Sequence, residues 1–250
     1  MIETARLADE IVAWLRAYAE RARARGYVLG LSGGIDSAVV AGLCRRAMGS
    51  QVLAAILPCH SLPEDAAFAR EVADAFHLET ITIDLEPAYD AFVASLPPGL
   101  TPLALANVKP RLRMTTVYAL AQGRGYLVAG TGNKSEIMVG YFTKWGDGGA
   151  DVEPLGALYK SQVRALAREL GVPQPIVDRA PTAGLWQGQT DEDEMGITYD
   201  EIEAVLRAIE ADKTECVLPD LLHRVQGMVV ASAHKRAMPP VFQPNEESAA

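Results

Sequence analysis

The residues best suited to chemistry form one short run, Ser32-Gly33-Gly34-Ile35-Asp36-Ser37. It follows an apolar stretch, Tyr27 to Leu31, that ends in Gly30-Leu31, and it leads into a helix carrying Val39, Leu43 and Ala47 on one face. A strand that runs into Ser-Gly-Gly and then a helix makes an anion site for two reasons. Glycines let backbone N–H groups come close to a phosphate, and the helix N-terminus adds a partial positive charge. Ser32 and Ser37 can add hydroxyl donors. Asp36 is the odd member, because a carboxylate repels phosphates unless a cation lies between them. A Mg2+ bridging Asp36 and phosphate oxygens resolves that conflict. The plainer alternative is a strand-to-helix turn, with Asp36 favourable in the first helical turn. The run is not a Walker A loop, since Gly-Lys-Ser/Thr is absent.

Further segments carry chemical groups at suggestive places. Gly130-Thr131-Gly132-Asn133-Lys134-Ser135-Glu136 follows another apolar run, and Asn133 with Glu136 reads equally as a helix capping box or as part of a metal site. The stretch from Gly140 to Asp151 combines glycines, aromatics and both charges, as a ligand-closing loop or a plain surface loop would. Lys160 begins a helix, where its charge opposes the helix dipole, so a bound phosphate explains it better than folding does. Two later stretches are Pro181-Thr182-Ala183-Gly184-Leu185-Trp186 and His234-Lys235-Arg236, the second readable as a solvated basic helix end.

Short apolar runs at 27–31, 52–57, 79–85 and 126–129 alternate with helical spacing at 3–25, 64–76, 87–95 and 103–122. That alternation predicts an α/β fold, a doubly wound parallel sheet flanked by helices, with ligands at the carboxyl ends of the strands. Beyond residue 150 the pattern is helical, around 160–170, 199–210 and 217–232. Residues 1–250 read as a single domain, with mobile segments at about 144–151 and after 239.

Composition narrows the partners. The 250 residues are 49% hydrophobic and 22% charged, with a net charge of -9. This is an ordinary globular balance, and it speaks against a broad nucleic-acid footprint. Cys44, Cys59 and Cys216 contain no CxxC pair and suit reduced thiols, and the scattered histidines argue against structural zinc. No apolar run is long enough to span a bilayer, and the N-terminus lacks a signal-peptide layout. The cytoplasm is the expected location.

The loop at 32–37 resembles the pyrophosphate-binding loop of N-type ATP pyrophosphatases (the PP-loop superfamily), which cleave ATP between its α and β phosphates. With the later segments in this order and spacing, nearly the whole chain resembles the NAD synthetase family. The resemblance implies an adenine nucleotide alpha hydrolase-like fold and conversion of deamido-NAD to NAD with ATP, Mg2+ and ammonia. It places Gly30, Leu31, Ser32, Gly33, Gly34, Ile35, Asp36, Ser37, Thr131, Lys160 and Thr182 on ATP, and Asp36 and Glu136 on Mg2+. Arg111, Lys144, Asp151, His234 and Lys235 fall on the deamido-NAD contacts, and a homodimer with the dinucleotide site at the subunit interface is implied. The catalytic set is then Asp36, Glu136 and Lys160, with Asp151 as a candidate to accept or steer a proton from ammonium.

The chain departs from the family at particular positions. Ile35 replaces a glutamine of many members, Ile56 an arginine before Leu-Pro, and Gly-Thr-Gly-Asn-Lys-Ser-Glu differs from the Gly-Thr-Asp-His-Ala-Ala-Glu of others. The loop begins by residue 30, which leaves no room ahead of it for an amidase domain, so free ammonia is the expected donor. The competing readings are another adenylating enzyme with this loop, such as a tRNA-thiolating or GMP-forming one, and a non-catalytic nucleotide-binding protein.

Overall fold

A computed structural model describes residues 4–182 and 190–243. The elements are α1 (Thr4–Arg21), β1 (Tyr27–Gly30), α2 (Ile35–Met48), β2 (Val52–Ile56), α3 (Pro63–Ala75), β3 (Glu79–Thr82), α4 (Glu86–Ala94), α5 (Pro102–Ala106), α6 (Val108–Arg124) and β4 (Leu127–Val128). There follow α7 (Lys134–Val139), α8 (Lys160–Leu170), α9 (Gln174–Asp178), α10 (Asp191–Met195), α11 (Tyr199–Glu210) and α12 (Pro219–Ala231).

The strands pair in parallel in the order β3-β2-β1-β4. Successive strand side chains point to opposite faces, and the burial follows that rule. Tyr27, Leu29, Val52, Ala54 and Ile56 join one core with α1, α2 and α8, while Val28, Leu53, Ala55 and Val128 join a second core with Val117 and Ala121 of α6. Both faces are covered, which is why the strands read as continuous apolar runs. A third core, without strands, packs Tyr159, Tyr199, Ile202, Val205 and Val225.

From β1 the chain steps outward to β2 and β3, then returns to place β4 on the other side of β1. The loops after β1 and β4 therefore diverge across one crevice, the place where open α/β sheets bind ligands. Both chemistry-bearing runs, at 32–37 and 130–136, leave the sheet there.

The structure differs from the spacing in places. α2 is buried on nearly all sides rather than on one face, because it packs between the sheet, α1 and α8. The run at 79–85 is strand to Thr82, an edge strand with mostly exposed side chains. Its backbone continues alongside, with Ile83 N–H donating to Ile56 O at 3.0 Å and Leu85 N–H to Pro58 O at 2.9 Å. The helix expected at 103–122 breaks at Asn107, so that Pro110 falls in the first turn of α6, where its missing N–H costs little. The helices α7, α9 and α10 are too short to give a periodic signal.

The segment from Gly140 to Asp151 folds into consecutive turns, with Gly146 N–H donating to Thr143 O at 2.9 Å and Gly149 N–H to Gly146 O at 2.9 Å. Among the described residues no helix is long and apolar enough to cross a membrane.

Candidate active site

The turn after β1 is built by its own residues. Gly33 has φ of 81°, and a Cβ there would stand 2.5 Å from Asp65 O, so only glycine fits. Ser37 Oγ donates to Gly34 O at 2.9 Å and lies 3.1 Å from Ser32 Oγ, while Gly34 N–H donates to Ser32 Oγ at 3.2 Å. The two hydroxyls that were candidate phosphate donors thus also close the loop on itself. Ile35, 5% exposed, belongs to the sheet core. It also borders the cavity, so its apolar side chain packs on the core at the edge of the site.

Asp36, in the first turn of α2, meets the second loop. Its Oδ1 accepts from Asn133 Nδ2 at 3.0 Å and its Oδ2 accepts from Lys160 Nζ at 2.5 Å. Glu136 Oε1 accepts from the same ammonium at 3.2 Å. Asn133 and Glu136 form the capping box of α7, with Glu136 N–H donating to Asn133 Oδ1 at 3.1 Å and Asn133 N–H to Glu136 Oε2 at 3.2 Å. The two oxygens of Glu136 are divided, with Oε2 serving the backbone and Oε1 facing Lys160.

Lys160 is 1% exposed. Burial opposes its charge, but Asp36 and Glu136 outweigh that and hold the ammonium above its usual range. This corrects the dipole reading, since two carboxylates already meet the lysine's charge without a phosphate. Burial pushes the Glu136 carboxyl up to about 7, with Lys160 pulling the other way.

Tyr199 and Asp191 complete the cluster, and neither was singled out in the sequence. The Tyr199 hydroxyl lies 2.9 Å from Glu136 Oε1 and 2.8 Å from Asp191 Oδ2. One hydroxyl carries one proton, so both contacts hold together only if a carboxyl is protonated. Burial raises Asp191 as it does Glu136.

Asp36, Glu136, Lys160 and Asp191 line a cavity of about 610 Å3, with Asn133 and Tyr199 behind them. Gly30, Leu31, Thr131 and Thr182 also border it, next to the Ser32–Ser37 loop. Residues 183–186 of the expected Pro181–Trp186 stretch lie outside the described residues. Arg111, Lys144, His234 and Lys235 border the cavity too. Lys144 Nζ donates to His234 O, and Lys235 Nζ donates to Gly140 O at 2.8 Å and Phe142 O at 2.9 Å. The C-terminal basic run is therefore tied to the loop after α7 rather than left solvated.

Asp151 is placed differently from the other expected site residues. It is not among the cavity-lining residues; its Oδ2 accepts from Val128 N–H at 2.7 Å and its Oδ1 from the Tyr118 hydroxyl at 3.2 Å. Asp147, four positions earlier, does line the cavity, and its Oδ1 accepts from Thr143 N–H at 2.9 Å. Arg113 lines it as well, donating to Leu57 O and Ser61 Oγ, both at 3.1 Å. The Lys109-Pro110-Arg111-Leu112-Arg113 run was visible in the sequence, but which cation faces inward depends on the turn of α6.

The whole cluster suits a nucleotide-borne cation. Mg2+ takes one or two carboxylates and completes its shell with water and phosphate oxygens. Asp36 and Glu136 converge on one point, and among the described residues no larger carboxylate, histidine or cysteine group gathers into a closed metal cage.

A family model described as NAD synthase matches residues 7–239. The chain belongs to the NAD synthase family. Family membership makes it a ligase of NAD biosynthesis, with a fold that suits ATP and nucleotide binding. The NH(3)-dependent NAD(+) synthetase of Carboxydothermus hydrogenoformans is 48% identical over 238 residues, covering 93% of this chain and 95% of that one. Among solved structures, NMN synthetase from Francisella tularensis superposes with a TM-score of 0.90 at 42% identity, over 98% of this chain and 100% of that one. NH3-dependent NAD synthetase from Campylobacter jejuni, in complex with the nitrate ion, gives a TM-score of 0.84 at 29% identity, over 97% of this chain and 100% of that one.

Proposed function

We propose that this NAD synthase family member amidates the nicotinate carboxylate of deamido-NAD, using ATP and ammonia, through an acyl-adenylate. The observation that carries this reading is Lys160 held between Asp36 and Glu136 beside the Ser32–Ser37 turn, on the wall of the cavity. A carboxylate at neutral pH is a poor electrophile. Attack of its oxygen on the ATP α-phosphorus forms the mixed anhydride and releases pyrophosphate; ammonia then attacks the acyl carbon and AMP leaves.

Such a reaction asks the protein mainly for positioning and charge stabilisation. The amides of the turn after β1 hold phosphate oxygens, and Lys160 offsets negative charge on the transferring and leaving groups. Mg2+ bound by Asp36 and Glu136 supplies further charge neutralisation at the phosphates. Thr131 and Thr182 flank the nucleotide, and the segment from Gly140 to Gly149 shields the anhydride from water. Arg111, Lys144, His234 and Lys235 bind the pyridine nucleotide, and Asp151, outside the cavity lining, is the remaining contact. A homodimer in the cytoplasm is the expected working form.

A second substrate reading is favoured by one observation, the likeness to Francisella tularensis NMN synthetase over essentially the full chain. On that reading the acid mononucleotide is amidated in place of the dinucleotide. Purified protein with Mg2+ and ATP, offered ammonium or glutamine, should release pyrophosphate and form amide with ammonium and deamido-NAD. A kcat/KM higher for the acid mononucleotide would replace the dinucleotide reading. Absence of pyrophosphate release with either acid would sink both.

A further inference from the structure

Asp191 opens α10 and is 4% exposed. Its Oδ2 accepts from the Tyr199 hydroxyl, whereas its Oδ1 is buried and has no hydrogen-bond partner. A carboxylate oxygen shut away from water without a donor is costly, and such an atom in a native fold calls for an explanation. Asp191 borders the cavity together with Tyr141, Glu194, Glu136 and Lys160, so a ligand held there lies next to its carboxyl group.

The chemistry of that donor is restricted by its neighbours. Asp36, Glu136 and Asp191 bring three carboxyl groups against the single ammonium of Lys160. An excess of negative charge favours a cation beside Asp191. A divalent ion shared by all three is not what the geometry offers, because they do not form a metal-binding group among the described residues. Asp191 instead joins Glu136 through the Tyr199 hydroxyl. A small monovalent cation carrying N–H donors matches an isolated oxygen of this kind.

We infer that Asp191 Oδ1 receives the ammonium ion whose nitrogen is transferred, on the wall formed with Tyr141 and Glu194; one proton passes from it to the Asp191 carboxylate before the freed nitrogen lone pair attacks the acyl carbon. The inference rests on ammonia being the nitrogen donor. Ammonium held at this point stands beside the Asp36–Glu136–Lys160 cluster, where the adenylated carboxylate is formed. The Tyr199 hydroxyl fixes the other oxygen of Asp191 and so orients the receiving one.

The test is Asp191→Asn, which keeps the size of the side chain and an acceptor for Tyr199. With ATP, Mg2+ and pyridine nucleotide saturating, KM for ammonium should rise by about tenfold or more, as expected for loss of a charged contact. KM for ATP and for the pyridine nucleotide should change less than about twofold on the same scale. An unchanged ammonium KM overturns the inference; so does a rise in the Mg2+ or ATP requirement that accompanies it, which would assign Asp191 to the metal or the nucleotide.

A second readout needs neither activity nor the variant. Crystals of the wild-type protein soaked in Rb+, an ammonium-sized cation visible by anomalous scattering, should show a peak within coordinating distance of Asp191 Oδ1 that ammonium displaces. No peak there, or one that ammonium leaves in place, overturns the site even if the enzyme is active. A wild-type protein inert with ammonium but showing the displaceable peak would instead refute the nitrogen-donor reading.

Discussion

Lys160 Nζ lies 2.5 Å from Asp36 Oδ2, although the two residues stand 124 positions apart in the chain. The contact joins the start of α2 to the start of α8, and through Glu136 it also fastens α7. It is at once part of the proposed reaction centre and a fastening between elements of the fold.

Removing the lysine while leaving its partners is therefore expected to be costly. Lys160→Met leaves two carboxylates without their buried counter-charge, and breaking one side of such an arrangement typically costs about 3–5 kcal/mol. Urea denaturation of the metal-free variant should show that loss, and added Mg2+ should recover part of it if Asp36 and Glu136 bind the ion. Amide formation should fall by at least about a hundredfold, on the scale of losing one charge-stabilising donor. Unaltered denaturation midpoints would contradict the fastening role.

Gly130, at the exit of β4, sits against the Glu153 carboxylate. A Cβ at Gly130 would stand 2.3 Å from Glu153 Oε1. Gly130→Ala should destabilise the protein by about 1–3 kcal/mol, the usual range for overpacking. It should also raise KM for ATP, since Thr131 follows directly. The pair should be coupled, so Glu153→Ala in the same chain should restore much of the stability; simple additivity in a double-mutant cycle would count against the contact.

Glu153 also sets a pH dependence. Burial pushes its carboxyl up to about 8, although it accepts from Gly132 N–H at 3.2 Å. A raised carboxyl means the native state holds a proton that the unfolded chain has already released. From the ordinary carboxylate range up to about 8, stability should therefore fall as pH rises. Glu153→Gln should flatten that part of the profile, measured as denaturation midpoint against pH. A profile unchanged in slope would mean the carboxylate is not buried in solution.

Asp151 distinguishes a fastening from a proton carrier. With Tyr118 and the Val128 amide on its two oxygens, Asp151→Asn keeps one acceptor and loses the charge. A stability loss of about 1–2 kcal/mol is expected, in keeping with a charged hydrogen bond made neutral. At saturating ammonium kcat should stay close to that of the wild type, with KM for the pyridine nucleotide raised. A collapse of kcat with an unaltered melting temperature would restore the proton role.

Much of this was legible along the chain. The apolar runs at 27–31 and 52–57 became β1 and β2 because buried parallel strands need side chains apolar on both faces. The turn at 32–37 could be read because Gly33 at positive φ and a serine-closed loop are local requirements. The edge strand β3 and the break at Asn107 were harder to see, since weak alternation and short helices leave no period to detect.

By itself the sequence determined the α/β alternation, the anion-binding turn and the ordered motifs that carry the family resemblance. These depend on backbone conformation and side-chain chemistry within a few residues. Only the tertiary structure decided that Lys160 faces carboxylates, that Ile35 points into the core, that Asp151 ties down β4, and that Tyr199 and Asp191 stand behind Glu136. The physical reason is strand order. Placing β4 beside β1 brings the loop after one strand onto the loop after the other, and no local periodicity specifies which distant loops will meet.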